Sequence, residues 1–139
     1  AALAVCLGLG LAAARVSAPI VRGDARVSPV AALARVPADL RARPVFNSYG
    51  LGGYLIFNGV RPFIDGRTDM YGDAFNARYD AAAGQERAAL DAVLQDDRIA
   101  WTMLDPAAPA VRWLDAESGW RRLYADRYAV IHVRAPGRR

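Results

Sequence analysis

Lysine is absent from this chain, and cysteine and histidine occur once each. A lone Cys6, inside an apolar run, excludes an internal disulfide and a cysteine-rich metal site. A lone His132 excludes a multi-histidine metal centre. All eighteen basic residues are therefore arginine, and alanine is abundant beside them. Together these read as the coding bias of a GC-rich bacterium and are discounted as chemistry. The formal charge of +4 permits contact with phosphate, lipid headgroups or nucleic acid. The excess is spread along the chain, thickening only beside the apolar N-terminus and at Arg138-Arg139. With no basic helix, zinc-ligand spacing or basic-aromatic signature, nucleic acid is not an expected partner.

Other signatures are missing too. There is no P-loop, Ser-centred elbow, internal repeat or low-complexity tract. Gly50, Gly52 and Gly53 lack the third glycine and the downstream acid of a dinucleotide fingerprint, so a tight turn and close helix packing are expected of them. Asp65, Asp69 and Asp73 are spaced by four, unlike a calcium loop with its closing Glu. No metal and no cofactor are expected.

What is present is enough for one domain of 139 residues. Charged residues make up 23%, which argues against disorder, and a domain of about 100 residues buries a core without disulfides. Residues 1–14, AALAVCLGLGLAAA, carry no charge. As a helix they span roughly 21 Å, short of the roughly 30 Å of a hydrocarbon core. The expectation is that residues 1–18 are the end of a transmembrane helix that continues upstream. A signal-peptide core and a buried helix of a soluble protein are the alternatives. Arg15, Arg22, Arg26, Arg35, Arg41 and Arg43 follow against only Asp24 and Asp39, a flank that favours the cytoplasmic side.

Residues 19–43, with Pro19, Pro29 and Pro37, read as a connector with short helical pieces near 30–36 and 37–40. Residues 44–139 read as a soluble α/β domain. Val45 and Phe46 begin a short buried strand ending near Asn47 or Ser48. A helix with Tyr54 to Phe57 follows, closed by Asn58-Gly59. Pro62-Phe63-Ile64 is expected as a second strand, residues 73–94 as helix broken near Gly84, and residues 99–104 as a third strand. A helix over 109–117 and a hairpin about Asp126-Arg127 complete the chain. The fold class is thus α/β: a small layered domain with a mostly parallel sheet and a C-terminal antiparallel hairpin.

Open parallel sheets collect ligands at the carboxyl ends of their strands. Those ends supply Asn47 and Tyr49, then Asp65 and Arg67, then Asp105. The loop over 65–73 is the densest polar stretch, offering carboxylates, a guanidinium and a phenol to a sugar or phosphate. The structural alternative is that Asp65-Gly66 is only a turn, with Arg67 paired to a nearby carboxylate and Asp73 capping a helix. No acid, base and nucleophile set is defined, so no catalytic residue is assigned. His132 in an alternating strand, and Trp101, Trp113 and Trp120, read as structural.

Three segments carry a resemblance: Pro44-Val45-Phe46-Asn47-Ser48-Tyr49, Gly52-Gly53-Tyr54-Leu55-Ile56, and Phe63-Ile64-Asp65-Gly66-Arg67-Thr68-Asp69-Met70-Tyr71. Over residues 44–133 the chain resembles the C-terminal extracytoplasmic domain of bacterial multi-pass membrane proteins grouped with type-C glycosyltransferases, which use polyprenyl-phosphate sugars. A more distant similarity is to the oligosaccharyltransferase catalytic subunit. Tyr49-Gly50 matches the end of its Trp-Trp-Asp-Tyr-Gly motif, while Phe46, Asn47 and Ser48 do not match the rest.

The resemblance implies an accessory domain on the periplasmic side of the inner membrane, inactive alone because the family's catalytic carboxylates lie in upstream loops. Its expected partners are the rest of its own membrane domain and a polyprenyl-phosphate sugar or glycan acceptor. Asn47, Tyr49, Tyr54, Asp65, Arg67, Asp69 and Tyr71 are the expected substrate-binding residues. The other reading is a non-enzymatic, membrane-tethered or secreted binding domain.

Overall fold

The computed structural model describes residues 2–18 and 23–135, with their side chains except those of Ala2 and Gln85. Expectations resting on Pro19, Arg22 and Arg138-Arg139 lie outside the described residues. Helix α1 (Ala2–Ser17) is apolar, and Leu3, Val5, Leu7, Leu9 and Leu11 are all exposed on it. No helix among the described residues is long and apolar enough to cross a membrane.

Two short helices follow, α2 (Val30–Ala34) and α3 (Ala38–Arg41), each begun by the proline before it. Arg41 ties them together: its Nε donates to the Val36 carbonyl at 2.9 Å and its Nη2 to the Leu33 carbonyl at 2.8 Å. These carbonyls lie at and just beyond the end of α2, where the Leu33 carbonyl also accepts from the Val36 amide at 3.1 Å. Ala32, Leu33 and Val36 are buried in one core with Val45, Leu55 and Trp101. The packed core therefore reaches upstream of Pro44.

The sheet is made of β1 (Val45–Asn47), β2 (Trp101–Leu104), β3 (Trp120–Ala125) and β4 (Val130–Arg134), in the order β1-β2-β4-β3. Only β1 and β2 are parallel, while β2 with β4 and β4 with β3 are antiparallel. The sheet is mixed, which corrects the expectation of a mostly parallel one. The reason lies in residues 62–64, which form no strand. Pro62 has no N–H to give a ladder, and the next backbone groups bond to a side chain instead. Asn47 Oδ1 accepts from Phe63 N at 2.8 Å, and Asn47 Nδ2 donates to the Ile64 carbonyl at 2.9 Å. One amide side chain does locally what a neighbouring strand would do, and β1 becomes the edge of the sheet.

Both faces of the sheet are covered. On one side lie α2 and α4 (Gly52–Phe57), the latter entered through a 3₁₀ turn at Tyr49–Leu51. On the other lie α5 (Asp73–Asp80), α6 (Arg87–Asp96) and α7 (Pro109–Ala116). The break expected near Gly84 is a π-helical turn at Ala81–Gln85 between α5 and α6. Strand alternation sorts the two cores: Trp101, Met103, Ile131 and Val133 enter the first, and Phe46, Leu104 and Val130 the second. β4 is buried on both faces from Val130 to Val133, as a central strand must be. The hairpin turns at Asp126, whose Oδ1 accepts from the Tyr128 and Ala129 amides at 2.7 and 2.8 Å.

Candidate functional site

The carboxyl ends of β1 and β2 are occupied by the chain's own contacts. The Asp105 amide donates to Ser48 Oγ at 2.9 Å, and the Asp105 carboxylate accepts from Arg26. The Tyr49 amide donates to the buried Tyr79 hydroxyl at 2.7 Å. Burial pushes the Tyr79 phenol up to about 12 against that hydrogen bond, so it stays protonated.

A substantial hollow lies elsewhere, along the outer edge of β1. It is a groove of about 780 Å³ that passes the starts of β1 and β2, at Val45 and Ile99. Its charged lining is Arg41, Arg43, Arg61, Arg67, Asp65 and Asp97, and its apolar wall includes Phe63, Tyr71 and Phe75. The wall is a stack: Phe63 on Phe75 at 5.1 Å between ring centroids, and Tyr71 on Phe75 at 5.0 Å. The volume suits a small molecule rather than a bare ion.

Asp65 organises one end of this groove. Its buried carboxylate accepts from Arg67 Nε at 2.8 Å, Arg67 Nη2 at 2.7 Å, the Arg67 amide at 3.0 Å and the Tyr71 hydroxyl at 2.7 Å. The Arg67 guanidinium, opposed by burial and helped by Tyr71, holds the Asp65 carboxyl far below the usual carboxylate range. Arg67 is raised in turn by the same partner. Burial, then Asp65, raises the Tyr71 phenol. A carboxylate so depressed and so fully engaged is a poor general acid or base near neutral pH. It positions Arg67, whose side chain remains more than half exposed.

The remaining charges leave a positive balance. Asp97 pairs with Arg78, outside the groove, at 2.7 Å. Arg41 donates to neutral carbonyls, which fixes its guanidinium without cancelling its charge. Among the described residues Arg43 and Arg61 have no carboxylate partner. The Arg43 carbonyl accepts from Trp101 Nε1 at 3.2 Å, which anchors that stretch of backbone against the core.

No family model, curated protein or solved structure matches this chain. Its own geometry carries the reading.

Of the seven expected binding residues, Asp65, Arg67 and Tyr71 line the groove together. Asn47 is wholly buried and spends its amide on the backbone of Ser48, Phe63 and Ile64, so it shapes the wall without facing a ligand. Tyr54 is buried in the first core. Tyr49 and Asp69 are exposed but do not line the groove. Asp73 starts α5 without a side-chain capping bond. Arg41, Arg43, Arg61, Phe63 and Phe75 belong to the groove and were not among the expected residues. The density of arginine in the connector was a sequence signal for Arg41 and Arg43 alone.

A second polar cluster lies under α7. His132 Nε2 is 2.9 Å from Asp115 Oδ1, and its Nδ1 is 3.5 Å from Thr102 Oγ1. Asp115 also takes Arg122. The order resembles a nucleophile relay, but Thr102 and His132 are wholly buried in the sheet, so no substrate reaches the hydroxyl. Burial lowers the His132 pKa more strongly than Asp115 raises it. The native state therefore binds fewer protons here than the unfolded chain, and stability is full above the unfolded value of about 6.5. It should fall as the pH drops below that value toward the lowered native one. Thermal melts from neutral pH down to about pH 5 test this, because no other histidine contributes to that window. A flat melting temperature there would contradict a neutral His132.

Proposed function

We propose that this chain is the accessory extracytoplasmic domain of a bacterial membrane glycosyltransferase-like protein, and that it binds rather than catalyses. The observation that carries the reading is the groove. Its arginines exceed its free carboxylates, its wall is aromatic, and its one buried carboxylate is fully engaged by Arg67 and Tyr71. Such a set suits an anionic sugar or headgroup and supplies no acid and base pair.

Helix α1 supports a membrane neighbour. A row of exposed leucines is unstable in water and is covered most simply by lipid or by other helices of the same protein. On this reading the first partner is the rest of its own membrane domain. The second is a polyprenyl-phosphate sugar or a glycan acceptor, met on the periplasmic side of the inner membrane.

Arg61 is the position to test, because Asp65 and Arg67 hold each other and their loss would disturb the wall. In the longer membrane protein, Arg61→Ala is expected to lower sugar transfer from a polyprenyl-phosphate donor by about tenfold. The melting temperature of the isolated variant chain should not change. Unaltered transfer by a folded variant would reject the transferase reading. It would leave a tethered or secreted binding domain, which the saturated Asp65 carboxylate favours equally.

A further inference from the structure

We infer that the groove along β1 binds a phosphate group carried on a sugar or a lipid. The inference rests on the groove being a ligand site, and not on sugar transfer by any larger protein.

Two of its guanidinium groups are held in place before any ligand arrives. Arg41 is fixed by the Leu33 and Val36 carbonyls and Arg67 by the Asp65 carboxylate. Each uses Nε and Nη2 for this, so the remaining N–H groups of the fork are open to a ligand. Groups already ordered lose little freedom on binding. Arg43 and Arg61 add charge from the same lining, and no carboxylate among the described residues neutralises them.

A single carboxylate ligand satisfies one guanidinium fork. A phosphate carries one charge and two free oxygens as a diester, or up to two charges and three as a monoester, set tetrahedrally, and so matches several arginines at once. The groove, at about 780 Å³, is far larger than the ion alone. The stacked Phe63, Phe75 and Tyr71 supply a face for the body that carries it, either a sugar ring or the upper part of a lipid.

The test uses the whole 139-residue chain in mild detergent, titrated calorimetrically with glucose 1-phosphate, inorganic phosphate and glucuronate. A flotation assay adds phosphatidylcholine vesicles, alone and mixed equally with phosphatidylglycerol. Any association of the apolar α1 with lipid is common to both kinds of vesicle, so only the difference between them reports the groove. The double variant Arg43→Gln, Arg61→Gln is expected to weaken phosphate binding by at least about tenfold. Arg112→Gln, on the exposed side of α7, should leave it unchanged.

Arginine-dependent binding of glucose 1-phosphate assigns a sugar phosphate. Arginine-dependent preference for phosphatidylglycerol assigns a lipid headgroup. Either supports the inference. Glucuronate binding as tightly as glucose 1-phosphate would overturn the phosphate assignment, and so would binding that ignores the double variant. Sugar transfer is not read in this experiment, so its result stands apart from the transferase reading.

Discussion

Replacing Asn47 with alanine is expected to remove about 3 kcal/mol of stability and to lower the melting temperature by roughly 10 °C. Asn47 is wholly buried at the end of the edge strand. Its amide makes bonds of 2.8 to 3.0 Å with the Phe63 N–H, the Ile64 carbonyl and the Ser48 carbonyl. Deleting it strands these backbone groups beside a dry core, and each unsatisfied group costs about 1–3 kcal/mol. Alanine also opens a cavity, so Asn47→Leu is the sharper variant: it keeps the volume and loses only the hydrogen bonds. Urea unfolding should give a similar loss for both, with a slope close to that of the parent chain. A loss under about 1 kcal/mol for the leucine variant would mean that Phe63 and Ile64 hold the segment by packing, and the strand-replacing role of Asn47 would be wrong.

That same amide explains where the sequence stopped being legible. Phe63 and Ile64 are apolar and follow a proline, which is what a short buried strand looks like. Nothing local marks their backbone as belonging to a side chain sixteen residues earlier. The helices are different. Leu90, Val93 and Leu94 bury one face of α6 at helical spacing, and α4 ends at Asn58 and Gly59, with Gly59 at φ 73°. Local pattern sets those elements, and tertiary contacts only confirm them. The hairpin was equally legible, because Asp126 supplies its own turn bonds.

The groove was half legible for a related reason. Asp65, Arg67 and Tyr71 stand within six residues of one another, so their density was visible. Arg41 and Arg43 follow α2, whereas Arg61 follows α4, and only the packing of both segments beside β1 brings them together. The rule that ligands gather at the carboxyl ends of parallel strands points away from this site. It presumes an open crevice between strands, and here Ser48, Asp105 and Tyr79 fill those ends. With one parallel pair, the sheet has little of the geometry on which that rule depends.

Gly52→Ala is expected to be at least as damaging as the loss of Asn47, against the direction that helix propensity alone dictates. Gly52 begins α4 with helical backbone angles, φ −59° and ψ −44°, where alanine is intrinsically better by up to about 1 kcal/mol. A Cβ there would lie 2.1 Å from the Ile64 carbonyl oxygen and 2.6 Å from Asp65 Cα. Both neighbours are backbone, pinned by Asn47 on one side and by the Arg67 and Tyr71 bonds to Asp65 on the other. Neither α4 nor the segment can retreat without breaking those bonds, so a net loss of about 3 kcal/mol or more is expected. Gly53, the next residue of the same helix, has open space at its Cβ. Gly53→Ala should therefore raise the melting temperature slightly, through the unfolded chain and helix propensity. Opposite signs at adjacent glycines would locate the close approach at Gly52. Two gains would mean that the helix tolerates a shift, and that the wall of the groove is softer than its hydrogen bonds imply.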